Sequence, residues 1–497
     1  MTTRVESFLN DQCAQRPDGF AMSDGTGVEW TWRDLHEASD AAADCLSGHG
    51  VQPGDRVVIL CENCTAAVAF LFGAWRVGAI AVPVNARQSA SELARILDHA
   101  APSVTVLTTA VSPDAIAHAD RLGATATTGK YGTVHLAKTH ASNPEDDIRI
   151  AVLLYTTGTT GVPKGVMLSH ENLRFGGMAS AHLREMTCKD VIYGVLPITH
   201  VFGLASIVTA ASYTGAAIRF EARFSAAKLY AALGRGVTLL SAVPQMHALL
   251  MQYTAEQGFA RLGSKDLRYV SSGAAPLDPA WKRKAEAFYG VPLQNGYGMT
   301  ETTAGVSITK NPLGSPDISV GPPLPGVEVR IDESVPGGGH GMGEVLTRGP
   351  HVMLGYFRNP SETERALDAG GWMHTGDLGK FDDTGHLHIL GRSKELIIHG
   401  GFNVYPPEVE AAINEHPQVV QSAVVGRMKA GDEEVLAFVQ VSENCDLTAD
   451  DLAAFLRDRL TGYKRPAVIV IGTQLPAAPT GKILKHKLLD AFAAQLS

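Results

Sequence analysis

The sequence predicts an α/β body followed by a small α+β unit, and three observations carry that prediction. Helical-period and strand-like apolar segments alternate from Val5 to about residue 310, the pattern of parallel sheets covered by helices. Between Gly314 and Leu390, glycine and proline become dense (GPPLPGV, VPGGGHGMGE) around short strand-like runs, which predicts a β-rich subdomain or barrel at the edge of the body. From Ser393 a compact unit with its own strand and helix pattern runs to the end. At 497 residues the chain is too long for one core. The expected division is a large N-terminal domain over 1–392, with the β-rich part at about 314–390, and a small C-terminal domain over 393–497.

In chain order, Trp32, Leu35, Ala38, Ala42 and Leu46 recur at helical spacing, with Gly48–Gly50 as the stop. Val51–Leu60 reads as a turn entering a strand, Ala66–Val77 as a buried helix and Ile80–Val84 as a strand. A short amphipathic helix (Ser91–His99) and a strand (Ser103–Leu107) follow. Nearly continuous apolar runs fit strands buried on both faces. Ile150–Tyr155 and Gly165–Leu168 are strand-like and flank a Thr/Gly loop. In the last unit the expected order is strand Glu395–His399, a helix opened by Pro406–Pro407 and running to Ile413, and strands Val419–Val425 and Val435–Val441. Helix Asp450–Leu460, strand Val468–Ile471 and a C-terminal helix complete it.

The net charge of −9 argues against a general affinity for nucleic acid or anionic membrane. Six cysteines imply no disulfide framework, and the single CxxC (Cys61, Cys64) lacks the second pair a zinc site needs, so Cys61 reads as core filler. Met1–Asp11 has no apolar signal core, and the most apolar stretch, Ala66–Val84, is broken by Arg76 and Pro83. A cytoplasmic protein is the expectation.

Five clusters hold the chemistry. Tyr155–Gly165 (YTTGTTGVPKG) combines threonine hydroxyls, glycines and Lys164, the equipment of a phosphate cradle. Pro163 stands where a Walker A loop needs glycine, and a plain Gly/Thr surface hairpin is the competing reading. Gln294–Glu301 (QNGYGMTE) offers an aromatic face between glycines, then a hydroxyl and a carboxylate suited to phosphate and Mg²⁺. In Trp372–Leu378 (WMHTGDL), Asp377 suits vicinal sugar hydroxyls, although an Asp in a local turn is commoner. Gly391–Tyr405 lies where the body gives way to the last unit, and Pro479–Leu484 (PTGKIL) places Lys482 on a Thr–Gly turn.

In this order, over nearly the whole chain, the five clusters resemble the adenylate-forming superfamily of acyl-CoA synthetases, 4-coumarate–CoA ligases, luciferases and peptide synthetase adenylation domains. The resemblance implies an acyl-adenylate made from ATP and a carboxylic acid, then thioester formation with release of AMP. It places Thr156, Thr157, Gly158, Thr159, Thr160 and Lys164 on the β- and γ-phosphates and Thr300 on the α-phosphate. Glu301, with Thr157, would hold Mg²⁺. Gly273, Ala274 and Ala275 would form the adenine-binding turn with Tyr297 stacking on the base, Asp377 and Arg392 would hold the ribose, and Asn295 would be a further ATP/AMP-binding residue. His200 would stand beside the substrate carboxylate, and Lys482 would bridge acid and ATP. A mobile C-terminal domain, hinged near Lys394, would then withdraw Lys482 and bring Gly400, Gly401 and Phe402 to a CoA tunnel.

Among relatives, GRSKELIIHGGFNVYPPEVE looks like the bacterial acyl- or aryl-CoA ligase form. A ligase that loads a carrier protein is the alternative, and a catalytically dead nucleotide-binding protein is disfavoured because Lys164, Glu301, Asp377, Arg392 and Lys482 are all present. Malonate-activating relatives carry an Arg where Gly296 stands. The acyl pocket is expected from His200, Val201, Phe202, Ser206, Ser272, Gly273, Gly296, Met299 and Thr303, with no charge beyond a histidine, for an uncharged aliphatic or aromatic tail. The implied partners are ATP with Mg²⁺, CoA and a small acid.

Overall fold

The structure is a computed structural model. It describes residues 4–157, 163–273, 277–303, 305–336, 338–400, 402–429, 432–443, 445–477 and 483–496.

Two eight-stranded sheets form the body. In the first, Val191–Gly194, Ala217–Phe220, Phe20–Ser23, Leu239–Ala242, Tyr269–Ser272 and Leu293–Tyr297 are parallel, closed at the edges by the antiparallel strands Ser307–Ile308 and Glu29–Thr31. In the second, Ile150–Thr157, Ile80–Asn85, Arg56–Cys61 and Val104–Leu107 are parallel. Antiparallel strands extend it on both sides, with Pro163–Ser169 and then Gly355–Tyr356 at one edge. The strand Arg56–Cys61 is buried at every position, as its unbroken apolar run requires.

Helix Thr65–Arg76 is buried almost all round, which is why its sequence lacks a polar face. Gly73 lets it touch helix Trp32–Gly48, since a Cβ there would lie 2.8 Å from that of Ala42. The thiols of Cys61 and Cys64 are buried, and burial pushes that of Cys64 up to about 12, which leaves both inert as nucleophiles. Helix His170–Leu183 starts at a Ser169–Asn172 capping box. It ends in a Schellman turn: Met186 N–H donates to Ala181 O and Glu185 N–H to His182 O, with Glu185 at φ +49°.

The Gly/Pro-dense segment folds into a four-stranded antiparallel sheet of Glu328–Asp332, Met342–Arg348, Met373–Phe381 and Leu387–Arg392. Beyond it, a hairpin (Ile397–His399, Phe402–Val404) and a three-stranded sheet (Val419–Lys429, Asp432–Val441, Val468–Gly472) share a core with helices Pro406–Asn414 and Ala449–Leu456. Helix Ala449–Leu456 is shorter than the span Asp450–Leu460 expected, and the C-terminal helix is only the turn Leu488–Ala491 flanked by 3-10 turns. Among the described residues no helix is long and apolar enough to cross a membrane.

Candidate active site

The strand–loop–strand at Tyr155–Gly165 is an antiparallel pair with Thr156 opposite Lys164 and Thr157 opposite Pro163. Its turn, with Gly158, Thr159 and Thr160, lies outside the described residues. The Lys164 ammonium is ion-paired to Glu362 and lies 5.2 Å from the centre of the Tyr356 ring. Tyr356 reaches this position because Gly355–Tyr356 pairs with the second hairpin strand, Tyr356 opposite Val166. Its hydroxyl donates to Glu301 Oε1 at 2.8 Å. Burial, followed by the Glu301 charge, pushes the Tyr356 phenol far above its ordinary pKa, so it remains a donor. Thr300 and Glu301 are buried in a 3-10 turn just after the strand Leu293–Tyr297. Lys164, Tyr356 and Glu301 thus form one connected chain, and neither Tyr356 nor Glu362 was marked by any sequence motif.

A second chain adjoins it. Asp377 and Arg392 face each other across adjacent strands, 2.7 Å apart. Tyr297 donates its hydroxyl to Asp377 Oδ2. Asn295 donates through Nδ2 to Ser319 O at 3.0 Å, while its buried Oδ1 has no hydrogen-bond partner among the described residues. Gly273 ends the strand Tyr269–Ser272 and lets the Phe202 ring close in, since a Cβ there would sit 3.1 Å from it. Ala274 and Ala275 lie outside the described residues.

At the carboxyl ends of the parallel strands Tyr269–Ser272 and Leu293–Tyr297 opens a cavity of about 90 Å³. His200, Val201, Phe202, Ser206, Ser272, Gly273 and Gly296 line it. His200 is exposed and caps the turn Val201–Gly203, its Nδ1 accepting from Phe202 N–H at 3.2 Å. Two expectations fail. Met299 and Thr303 do not line the cavity: Thr303 turns its hydroxyl to His351 O at 2.7 Å, and Met299 N–H is tied to Thr302 Oγ1. Nor is the lining free of fixed charge, because Arg184 belongs to it and is 4% exposed. Helix His170–Leu183 brings Arg184 there by packing against Leu204–Thr209, which no local pattern announces.

In the C-terminal unit, Lys394 is exposed in the turn Ser393–Glu395. Gly400 takes φ +58° and donates its N–H to the Asp432 carboxylate at 3.0 Å. Phe402 is exposed and stacks on Tyr463 at 4.6 Å and 22°. Gly401 and Lys482 lie outside the described residues. Ala477 and Ile483, on either side of the 478–482 segment, pair as a β-bridge, and Lys485 is bonded to Glu395 at 3.0 Å and Glu410 at 2.8 Å.

Among the described residues no three His, Cys, Asp or Glu side chains gather as a metal cage. Glu301, a carboxylate with one oxygen held by Tyr356, fits Mg²⁺ of the kind that takes one carboxylate plus phosphate oxygens.

A cavity at the strand ends, with the Lys164–Tyr356–Glu301 and Tyr297–Asp377–Arg392 chains near it, is the arrangement of an α/β enzyme. Residues 9–357 match the model of the AMP-binding enzyme family and residues 408–482 that of the AMP-binding enzyme C-terminal domain. The chain belongs to the AMP-binding enzyme family, and it is an acid–thiol ligase. It is 31% identical to the long-chain-fatty-acid–CoA ligase FadD13 of Mycobacterium tuberculosis over 94% of both chains. ATP-bound MatB from Rhodopseudomonas palustris covers 100% of both chains at 31% identity with a TM-score of 0.84, against 0.75 for its apo form. The O-succinylbenzoate CoA synthetase MenE of Bacillus subtilis, with ATP and magnesium, is 28% identical over 97% of this chain and 98% of its own, with a TM-score of 0.81.

Proposed function

We propose that the protein is an ATP-dependent carboxylic acid–CoA ligase that works through an acyl-adenylate. The acid's oxygen attacks the α-phosphorus of ATP and the bond to the β-phosphate breaks, releasing pyrophosphate. The thiol sulfur of CoA then attacks the acyl carbon and AMP leaves. The observation that carries this reading is the convergence of two linked chains, Lys164–Tyr356–Glu301 and Tyr297–Asp377–Arg392, beside the cavity.

Each residue has a task in this scheme. Lys164 leaves Glu362 for the β- and γ-phosphates, compensating charge that builds on the leaving group. Glu301, oriented by Tyr356, would hold Mg²⁺, which would neutralise phosphate charge. Asp377 and Arg392 hold the ribose hydroxyls, and Asn295 Oδ1 accepts from the adenine amino group. His200, at the mouth, orients the carboxylate, and Lys482 compensates charge on both reacting groups. The C-terminal unit then turns about Lys394 so that the Gly400–Phe402 turn admits the pantetheine arm. The better match to ATP-bound than to apo MatB supports a nucleotide-bound arrangement of the two units.

The test is pyrophosphate release across fatty, benzoic, cinnamic and dicarboxylic acids, with AMP and thioester measured in parallel. Acid-dependent pyrophosphate with CoA thioester supports the reading. Thioester only on a phosphopantetheinyl carrier protein would replace CoA as the acceptor.

A further inference from the structure

The cavity contains a cation the scheme above does not use. Arg184 is 4% exposed, and among the described residues no carboxylate lies within ion-pair distance of it. Its Nη1 donates to Ser206 O at 2.6 Å and its guanidinium lies 5.6 Å from the centre of the Tyr269 ring. Its Nε is buried and has no hydrogen-bond partner among the described residues. Two other cavity-lining groups, Ser272 Oγ and Ser307 Oγ, are also buried and have no hydrogen-bond partner among the described residues.

A buried cation without a counter-charge is costly, and so are unmet hydroxyls in an otherwise apolar pocket. The local backbone holds Arg184 firmly all the same. The carbonyls of Arg184 and Glu185 accept from Arg268 at 2.9 and 3.0 Å, and Arg268 is itself locked to Asp190 at 2.7 Å. Glu185 takes a left-handed conformation that L-residues avoid in order to end the helix there. The free Nε side of a guanidinium fixed through Nη1 is a fork shaped for a carboxylate.

We propose that the activated acid carries a second carboxylate at the far end of its tail, and that Arg184 receives it while Ser272 and Ser307 donate to its oxygens. The cavity is lined both by exposed His200, where the reacting carboxylate would stand, and by buried Arg184, so the two carboxylates of a diacid would meet separate partners. An uncharged tail would leave the guanidinium unpaired, which selects against monoacids. This assignment rests on the acid-ligase reading and replaces the expectation of an uncharged tail.

The test uses the full-length enzyme with a homologous series of α,ω-diacids, the monoacids of equal carbon count and a matched aromatic pair, read by pyrophosphate release. A diacid should exceed its monoacid in kcat/KM by on the order of 10²-fold. Arg184→Met should abolish that preference, raise kcat/KM for the monoacid and leave the melting temperature unchanged or higher, because an apolar replacement removes an unpaired charge. Arg184→Lys should keep part of the preference. A wild-type preference for monoacids, or an unchanged diacid-to-monoacid ratio in Arg184→Met, overturns the assignment while leaving the ligase reading intact. Equal loss on both acids with a lowered melting temperature marks a structural arginine and also overturns it. No pyrophosphate release with any acid overturns the ligase reading itself, and this assignment with it.

Discussion

Tyr297 donates its phenolic hydrogen to Asp377 at 2.5 Å, joining the strand that ends in Gly–Tyr–Gly to the antiparallel sheet that carries Arg392. Asp377 is therefore held from two sides, by Tyr297 and by the guanidinium of Arg392 at 2.7 Å. Asp377→Ala should lower kcat/KM for ATP by roughly 10- to 10²-fold, the worth of a hydrogen bond or two to a charged group. Tyr297→Phe removes only the orienting bond and should raise the KM for ATP a few-fold with kcat nearly unchanged. ATP titration of both variants checks this; full ATP affinity in Asp377→Ala would refute the ribose role.

How this site was legible in the sequence follows from where its information lies. The Thr156 and Lys164 hairpin, the buried helix at Thr65–Arg76 and the carboxylate at Glu301 announce themselves locally, through composition within a dozen residues. Tyr356 and Glu362 did not, because each acts on a group far away in the chain and sits in an ordinary-looking segment. Arg184 is the sharpest case: a lone arginine at a helix end is usually solvated, and only tertiary packing turns this one into the cavity. Thr303 failed in the opposite sense, since a motif placed it near the site but its hydroxyl is satisfied by His351.

Lys164 rests on Glu362 and, in the proposed scheme, leaves it for phosphate. Lys164→Ala should slow pyrophosphate release by about 10²-fold or more, as for loss of a preorganised charge donor, and slow thioester formation from supplied acyl-adenylate much less. Glu362→Gln removes the competing anion and should lower the KM for ATP a few-fold. A raised KM in Glu362→Gln would show that the pair positions Lys164 rather than restrains it.

Three buried histidines set an acid limit. Burial pulls His247 and His351 down to about 4, and burial helped by Arg4 pulls His170 to about 3. Their folded values lie below the unfolded value of 6.5, so the unfolded chain binds more protons once the pH falls below that. Stability is complete above pH 6.5 and is lost towards pH 4, by about 2 kcal/mol per histidine at pH 5. The melting temperature should drop steeply between pH 7 and pH 5. His247→Gln should lower it at pH 7, where the bonds to Tyr289 and Ser271 O are lost, but flatten the drop. Equal melting temperatures at the two pH values would disprove the account.

The two half-reactions should separate on two residues of the C-terminal unit. Lys482→Ala should abolish pyrophosphate release and spare thioester formation from acyl-adenylate. Gly401→Leu should do the reverse by filling the space for the pantetheine arm. Equal damage to both half-reactions in both variants would contradict a domain that serves two steps with two faces.

Lys485 follows Lys482 by three residues and ties that stretch to the turn at Ser393–Glu395 through Glu395, and to helix Pro406–Asn414 through Glu410. Burial alone would lower the pKa of its ammonium, but the Glu410 and Glu395 carboxylates outweigh it and the net shift is upward. Lys485→Ala would leave the two carboxylates facing one another without a cation, loosening the Lys482 segment from the turn at Lys394. Pyrophosphate release should then fall with little change in the KM for ATP, because the contacts proposed for the nucleotide, Lys482 apart, lie in the other domain. Glu410→Gln together with Lys485→Met removes the charges in balance and should recover part of the rate. A double variant as slow as Lys485→Ala would mean that the ammonium acts on the reactants directly and not as a tether.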